Sequence, residues 1–317
     1  MPQNRKIAQN GELNPYGALP APKVTPELIR LVRTGTVYSL SVVFSEKLPA
    51  PGPLLPYTLS PGIRHGDWRE LAPASVAGET ISMSTHTGTH IDALCHIGEH
   101  QNTSGHPDVS GSVQLFAGHG QTVSADKTAS MRGQTHLSIA HMPPIVTRGV
   151  LLDVARYKDL DVLPDAYAIT AEDIAGTLDK EGVQIESGSA VLVRTGFYQH
   201  LRDGNPAYTE AIAGLNLEAA KFLVEQGMVL AGADNMTVEA LPPLDHSVHR
   251  FLLVHNGITH LENLYLDDIA RQRVYEFLLI VSPLRLQGAT GSWVNPIAIA
   301  YKVLKILMSL KIFQFLP

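Results

Sequence analysis

The chain has 317 residues, 44% hydrophobic and 17% charged, the balance of a globular protein with room for one large domain and a core of its own. A formal charge of −6 and the lack of any Lys/Arg-rich run exclude a nucleic-acid binder and leave a small molecule as the expected ligand. The lone cysteine, Cys95, excludes an intrachain disulfide and fits a reducing, cytoplasmic setting, while no signal-peptide core and no run of about 18 apolar residues appear.

In chain order, residues 1–75 read as a loose N-terminal arm and loop, suited in composition to exchange between subunits. Within them Thr25 is placed to cap a short helix through PELIRLVR, with Pro26 in its first position. TVYSLSVVF has the β-branched and aromatic content of a strand. Residues 47–75 carry six of the 21 prolines and are expected to be irregular, covering a substrate or wrapping a partner subunit. Tyr57, His65 and Trp68 in this stretch are candidates for lining an aromatic pocket.

The core is expected over 76–300. ETISMST alternates as a strand and leads into a histidine cluster. Residues 98–135, rich in Gly, Ser, Thr and Asn, are expected to loop over one face. GVLLDVA, SAVLVRTGF, MVLAGADN and YEFLLIVSPLRL read as strands, and ITHLENLY as extended. The helix in ITAEDIAGTLDKEG should be capped by Thr170 with Asp173 and stopped by Gly182. LNLEAAKFLVEQG should start after Asn216, and HRFLLVHNG should be helical. This alternation predicts a single α/β domain. Residues 301–317, YKVLKILMSLKIFQFLP, read as a helical extension.

The chemistry points to HTGTHIDALCH. Five of the 14 histidines, His86, His90, His96, His100 and His106, fall in one short stretch. Imidazole and carboxylate are ligands that zinc and manganese accept. His90 and Asp92 are two apart, so extended backbone puts both on one face. Gly88 permits a turn that folds His86 back towards them. Thr87 and Thr89 can bond the backbone or the ligands. His96 is either a fourth ligand or, more productively, a base beside an open site. Cys95 reads as a packed side chain rather than a nucleophile. Asp234 and Asn235 stand at a strand end, where α/β proteins place site residues, or serve as a turn.

HTGTHIDALCH resembles the H-x-G-T-H-x-D-x-x-x-H pattern of the cyclase-like metal-dependent hydrolases, the family of bacterial kynurenine formamidase, isatin hydrolase and lactone-opening enzymes. RLVRTGTVYSL, VHRFLLVHNGITHLENLYLDDIA and SPLRLQGATGSWVNPIAIA are similar to its longer members. The resemblance implies a central mixed or barrel-like sheet flanked by helices, and a homodimer or homotetramer. It implies that His86, His90 and Asp92 hold a divalent metal, zinc or manganese, and that His96 is the acid/base. Some members carry a second ion, bridged by the Asp and held by a downstream His and Glu, whereas others work with one; one or two ions are therefore implied here, with His249 and Glu262 matching the second position beside Asp92. From the residues alone those two are a His/Glu pair with which His255 and His260 compete. This chain has Ala93-Leu94-Cys95 where many relatives carry a proline, so the loop to His96 is expected to be less rigid. The implied reaction is hydrolysis of an amide or cyclic amide of the arylformamide or isatin type by metal-activated water. Lactone hydrolysis, of the dienelactone type, is the alternative, and a non-catalytic metal-dependent binding protein is the alternative of another class. The intact pairing of His96 with the ligand triad speaks against the latter.

Overall fold

A computed structural model describes residues 16–32, 35–50, 52–101, 113–118 and 120–300. The expected C-terminal helix and the start of the arm lie outside the described residues. Among those described, nine strands form one mixed sheet. In chain order they are β1 (Val37–Ser39), β2 (His90–Asp92), β3 (Ile145–Asp153), β4 (Ala190–Arg194), β5 (Leu230–Ala233), β6 (Thr259–Glu262), β7 (Glu276–Val281), β8 (Gly291–Trp293) and β9 (Ile297–Ala300). Across the sheet the order is β1-β9-β7-β3-β4-β5-β6-β2-β8. Strands β3 to β6 are parallel; every other pairing is antiparallel.

Parallel neighbours require crossovers, and helices supply them. Helix α1 (Ala171–Glu181) joins β3 to β4 and carries the expected capping box of Thr170 and Asp173, with Gly182 closing it at a φ of 68°. Helix α2 (Leu217–Glu225) joins β4 to β5 from an Asn216 cap. Between β5 and β6 the chain turns through Ser247–His249 and continues as a π-helix over Arg250–His255.

The central strands are apolar on both faces, as a sheet covered on both sides demands. Val150, Leu152, Val191 and Val193 enter a core shared with Ile174 of α1 and Ala219, Ala220 and Leu223 of α2. The alternate residues Leu151 and Leu192 enter a second core with Ile91, Leu261 and Phe277. Tyr16 and Leu19, in the segment read as an arm, are buried in that second core.

Four sequence expectations differ from the structure in detail. TVYSLSVVF forms strand only over Val37–Ser39, with an isolated bridge from Ser41 to Leu264, and the helix at Pro26 stops at Ile29. ETISMST forms a strand, Gly78–Ser82, but it pairs with Thr58–Ile63 from the proline-rich segment in a separate exposed ribbon. Residues 98–135 are not mere loops. Glu99–His100, Val113–Gly118 and Gln121–Ser124 form a small antiparallel sheet that buries Leu115 and Phe116.

Candidate metal centre

Strand β2 is three residues long and has a candidate ligand at each end. It lies between β6 and β8, with Glu262 and Trp293 opposite His90, and Leu261 and Ser292 opposite Ile91. Ile91 enters the core, so its neighbours His90 and Asp92 share the other face. The turn before it needs glycine: Gly88 has a φ of 68°, and a Cβ there would stand 2.7 Å from the Phe44 ring. A Cβ on Gly291 would meet His86 at 2.6 Å, so β8 makes room for that imidazole. Thr87 and Thr89 bond to backbone: Thr87 Oγ1 donates to Leu55 O at 3.2 Å, and Thr89 Oγ1 to Asn263 O at 2.5 Å.

The two oxygens of Asp92 face different imidazoles. Oδ1 is 2.9 Å from His86 Nδ1 and 3.4 Å from His90 Nε2, whereas Oδ2 is 3.8 Å from His260 Nδ1. Glu262 behaves likewise, with Oε2 3.4 Å from His90 Nε2 and Oε1 3.2 Å from His249 Nε2. Two overlapping ligand groups result, His86, Asp92 and His96 in one and Asp92, His249, His260 and Glu262 in the other. His90 stands between them. Ligands bound tetrahedrally at about 2.0–2.2 Å are separated by roughly 3.3–3.6 Å; both His90 contacts, at 3.4 Å, fall in that range, and the others, from 2.9 to 3.8 Å, lie to either side of it.

Ring orientation is fixed from behind. His90 Nδ1 lies 2.8 Å from Gly88 O; a carbonyl only accepts, so Nδ1 carries a proton and Nε2 is the nitrogen turned to the carboxylates, the one a cation would deprotonate and bind. His249 Nδ1 donates to Glu239 Oε1 at 2.5 Å, a carboxylate–histidine pair of the kind that supports metal ligands. His86 turns Nε2 to Thr290 Oγ1 at 3.0 Å, leaving Nδ1 inward. His96 stacks on His86 with centroids 3.9 Å apart and is half-buried, whereas His86, His90 and Asp92 are buried.

The residues fit a cation. His86 Nδ1, both oxygens of Asp92 and both ring nitrogens of His260 are buried without a hydrogen-bond partner, a cost of about 1–3 kcal/mol for each such group unless something satisfies it. Charge agrees. Burial opposes protonation of His90 and His249, yet the carboxylates of Asp92, Glu262 and Glu239 outweigh it and hold both imidazoles up at about 10. Burial would raise Asp92 and Glu262, but the facing histidines keep both well below the usual carboxylate range. Two protons thus balance a cluster of buried carboxylates, the charge that one divalent cation would bring. Burial pushes His96 down to about 3 and His260 down to about 4.

The remaining candidates separate clearly. His255 leaves the cluster and bonds Glu99 Oε2 at 2.6 Å. His100 is exposed, and His106 lies outside the described residues. Asp234 clamps a turn, accepting from Thr195 N, Thr195 Oγ1 and Gly196 N at 2.7–2.8 Å. Burial holds the Cys95 thiol up at about 12, protonated and unsuited to attack. His65 Nδ1 bonds Ser75 Oγ at 3.0 Å, and Trp68 is exposed. Sequence reasoning missed Glu239, and it weighed His260 only as a competitor of His249. The alternation of THLE, which puts His260 and Glu262 on one face, was the available signal for His260.

The chain is similar to several known proteins. The Cyclase family model matches residues 38–240, a span that includes His86, His90, Asp92, His96 and Glu239. Kynurenine formamidase from Bacillus cereus is 26% identical over 230 residues, 73% of this chain and 83% of that protein. Cyclase-like protein 3 of Arabidopsis thaliana is 25% identical over 262 residues, 81% of this chain and 76% of its own. A crystal structure described as a novel cyclase superposes with a TM-score of 0.76 at 29% identity, covering 90% of this chain and 94% of the other. Isatin hydrolase A from Labrenzia aggregata shares the fold, with a TM-score of 0.60 at 22% identity over 86% of this chain and 97% of its own.

Proposed function

The chain belongs to the Cyclase family, and on that premise we propose that it is a metal-dependent hydrolase of amide C–N bonds. Its substrate is an aryl formamide or a cyclic amide of the isatin type. The observation that carries this reading is Asp92, buried at the meeting point of two histidine sets with neither oxygen hydrogen-bonded. Its likeness to kynurenine formamidase supports the choice of bond.

His86, His90 and Asp92 would hold one divalent ion, and Asp92, His249 and Glu262 a second. An imidazole and carboxylate donor set without thiolate suits zinc or manganese. When bound, such an ion polarises a carbonyl and makes water acidic near neutral pH. The chain's own work is positional. Gly88 O and Glu239 keep the proton of His90 and His249 on Nδ1, so Nε2 faces inward. His96, half-buried beside His86, takes the proton of the attacking water and returns it to the departing nitrogen. The C–N bond breaks, giving an acid and an amine from an aryl formamide, or a single ring-opened molecule carrying both groups from a cyclic amide.

The exposed ribbon, with Leu59, Ile63 and Ile81 outward and Trp68 beside it, supports assembly as a homodimer or homotetramer through that surface. A single buried cysteine supports a cytoplasmic setting. No helix among the described residues is long and apolar enough to cross a membrane.

The test is a hydrolysis assay of zinc- and manganese-loaded protein on an aryl formamide, isatin and an unsaturated lactone, with elemental analysis of the same samples. Turnover of a C–N substrate that vanishes on chelation and returns with metal is expected. Turnover unchanged by complete chelation would sink the metal reading, and turnover of the lactone alone would sink the choice of bond.

A further inference from the structure

His260 is fully buried and neither of its ring nitrogens has a hydrogen-bond partner. A space-filling role would be served better by leucine, which carries nothing to desolvate. The alternation of β6 turns Leu261 into the core and sends His260 and Glu262 together to the face where β2 presents Asp92. There His260 Nδ1 lies 3.8 Å from Asp92 Oδ2. The ring meets His249 edge to face, at 80° with centroids 4.6 Å apart, so the two imidazoles converge rather than stack. One donor atom from each of Asp92, His249, His260 and Glu262 lies within 4.8 Å of the others, and all four residues are buried. The group around His86 differs, because its His96 is half-buried.

We infer that His260 is a fourth protein ligand of the second cation position, closing it with Asp92, His249 and Glu262. This rests on the proposed two-ion reading and extends it. Four protein ligands leave no vacancy for solvent, the mark of a structural ion, while three leave the open position that chemistry needs. The two positions therefore have different work. The ion at His86 and His90 is exchangeable and serves the substrate; the ion at His260 stays and ties β6 and β2 to the turn Ser247–His249.

The decisive experiment loads the protein, labelled with ¹⁵N-histidine, with ¹¹³Cd and reads which rings show one-bond metal–nitrogen coupling. His86, His90, His249 and His260 are expected to couple, and His96 is not. Coupling at His86, His90 and His249 without His260 overturns this inference and leaves the hydrolase reading standing. Coupling at none of them overturns both. Chelator-driven release gives a second readout. Zinc should leave the wild-type protein in two phases, and His260→Asn should speed the slower phase at least tenfold while leaving the faster one unchanged. Identical slow phases in the two proteins would likewise overturn the assignment.

Discussion

Strands β4 and β2 lie in one sheet, yet they solve burial in opposite ways. All five residues of β4 are buried; Leu192 points to one core while Val191 and Val193 point to the other, and only Arg194 at the strand's end needs charged partners, in Asp153 and Asp267. Hydrocarbon on both faces needs nothing beyond its neighbours. Strand β2 is equally buried, but only Ile91 enters a core; the other face carries His90 and Asp92, with His260 and Glu262 beside them on β6. Burying imidazoles and carboxylates costs free energy unless charge and hydrogen bonds are matched. The contrast teaches where to look. The sheet tolerates a polar face at one margin, and that is where an ion would repay its burial.

The largest effect should come from breaking the polar side of the contrast. Asp92→Asn removes the charge shared by both ligand groups and should lower kcat/KM by at least about 1,000-fold, roughly 4 kcal/mol, with metal per chain falling in elemental analysis. The melting temperature of the metal-free protein should change little, since a carboxylate is lost from a cluster in which Glu262 remains. Breaking the apolar side should do the reverse. Leu151, fully buried in β3, loses its packing in Leu151→Ala, which should cost about 3–4 kcal/mol in urea unfolding. Activity per folded molecule should be unchanged.

A third region sharpens the comparison because it buries a carboxyl group with no imidazole nearby. Burial, aided by the charge of Asp153, pushes Glu181 up to about 8, although the Asp153 N–H it accepts pulls the other way. Its Oε2 has no hydrogen-bond partner. A folded-state value above the unfolded one means that the stability present below about pH 4.5 is lost as pH rises through 8. Glu181→Gln should therefore match wild type near pH 4 and exceed it by roughly 2–3 kcal/mol at pH 8.5. Equal pH slopes for the two proteins in denaturant titrations would contradict this.

How far the sequence revealed these regions follows from how local their causes are. HTGTHID was legible because turn, strand and ligand spacing lie within seven residues. Both main helices were legible too, from caps at Thr170 and Asn216 that act over three residues. The second ligand group was not, since choosing among His249, His255 and His260 depends on a π-helix and on the register of β6 against β2. Spacing gave no reason for His255 to turn away to Glu99. Half of the ribbon was legible, because ETISMST alternates; its partner Thr58–Ile63 was not, because it is exposed and carries Pro61 within a proline-rich segment.

Glu239 is the least legible residue of the site and gives the smallest predicted effect. Ten residues separate it from His249, and nothing in LPPLDHSV announces that the two will meet. The meeting is nevertheless constrained: Glu239 Oε2 accepts the Val248 N–H at 2.9 Å while Oε1 takes His249 Nδ1 and, at 3.0 Å, His246 Nδ1. If its role is to keep the His249 proton on Nδ1, Glu239→Gln should preserve the fold and weaken that preference, because an amide can donate as well as accept. Metal affinity at the second position should fall 10- to 100-fold, while the first position keeps its ion. A purely structural role would move the melting temperature instead. Elemental analysis beside melting curves of the metal-free protein separates the two, since only the positioning role predicts a weakened second ion at an unchanged melting temperature.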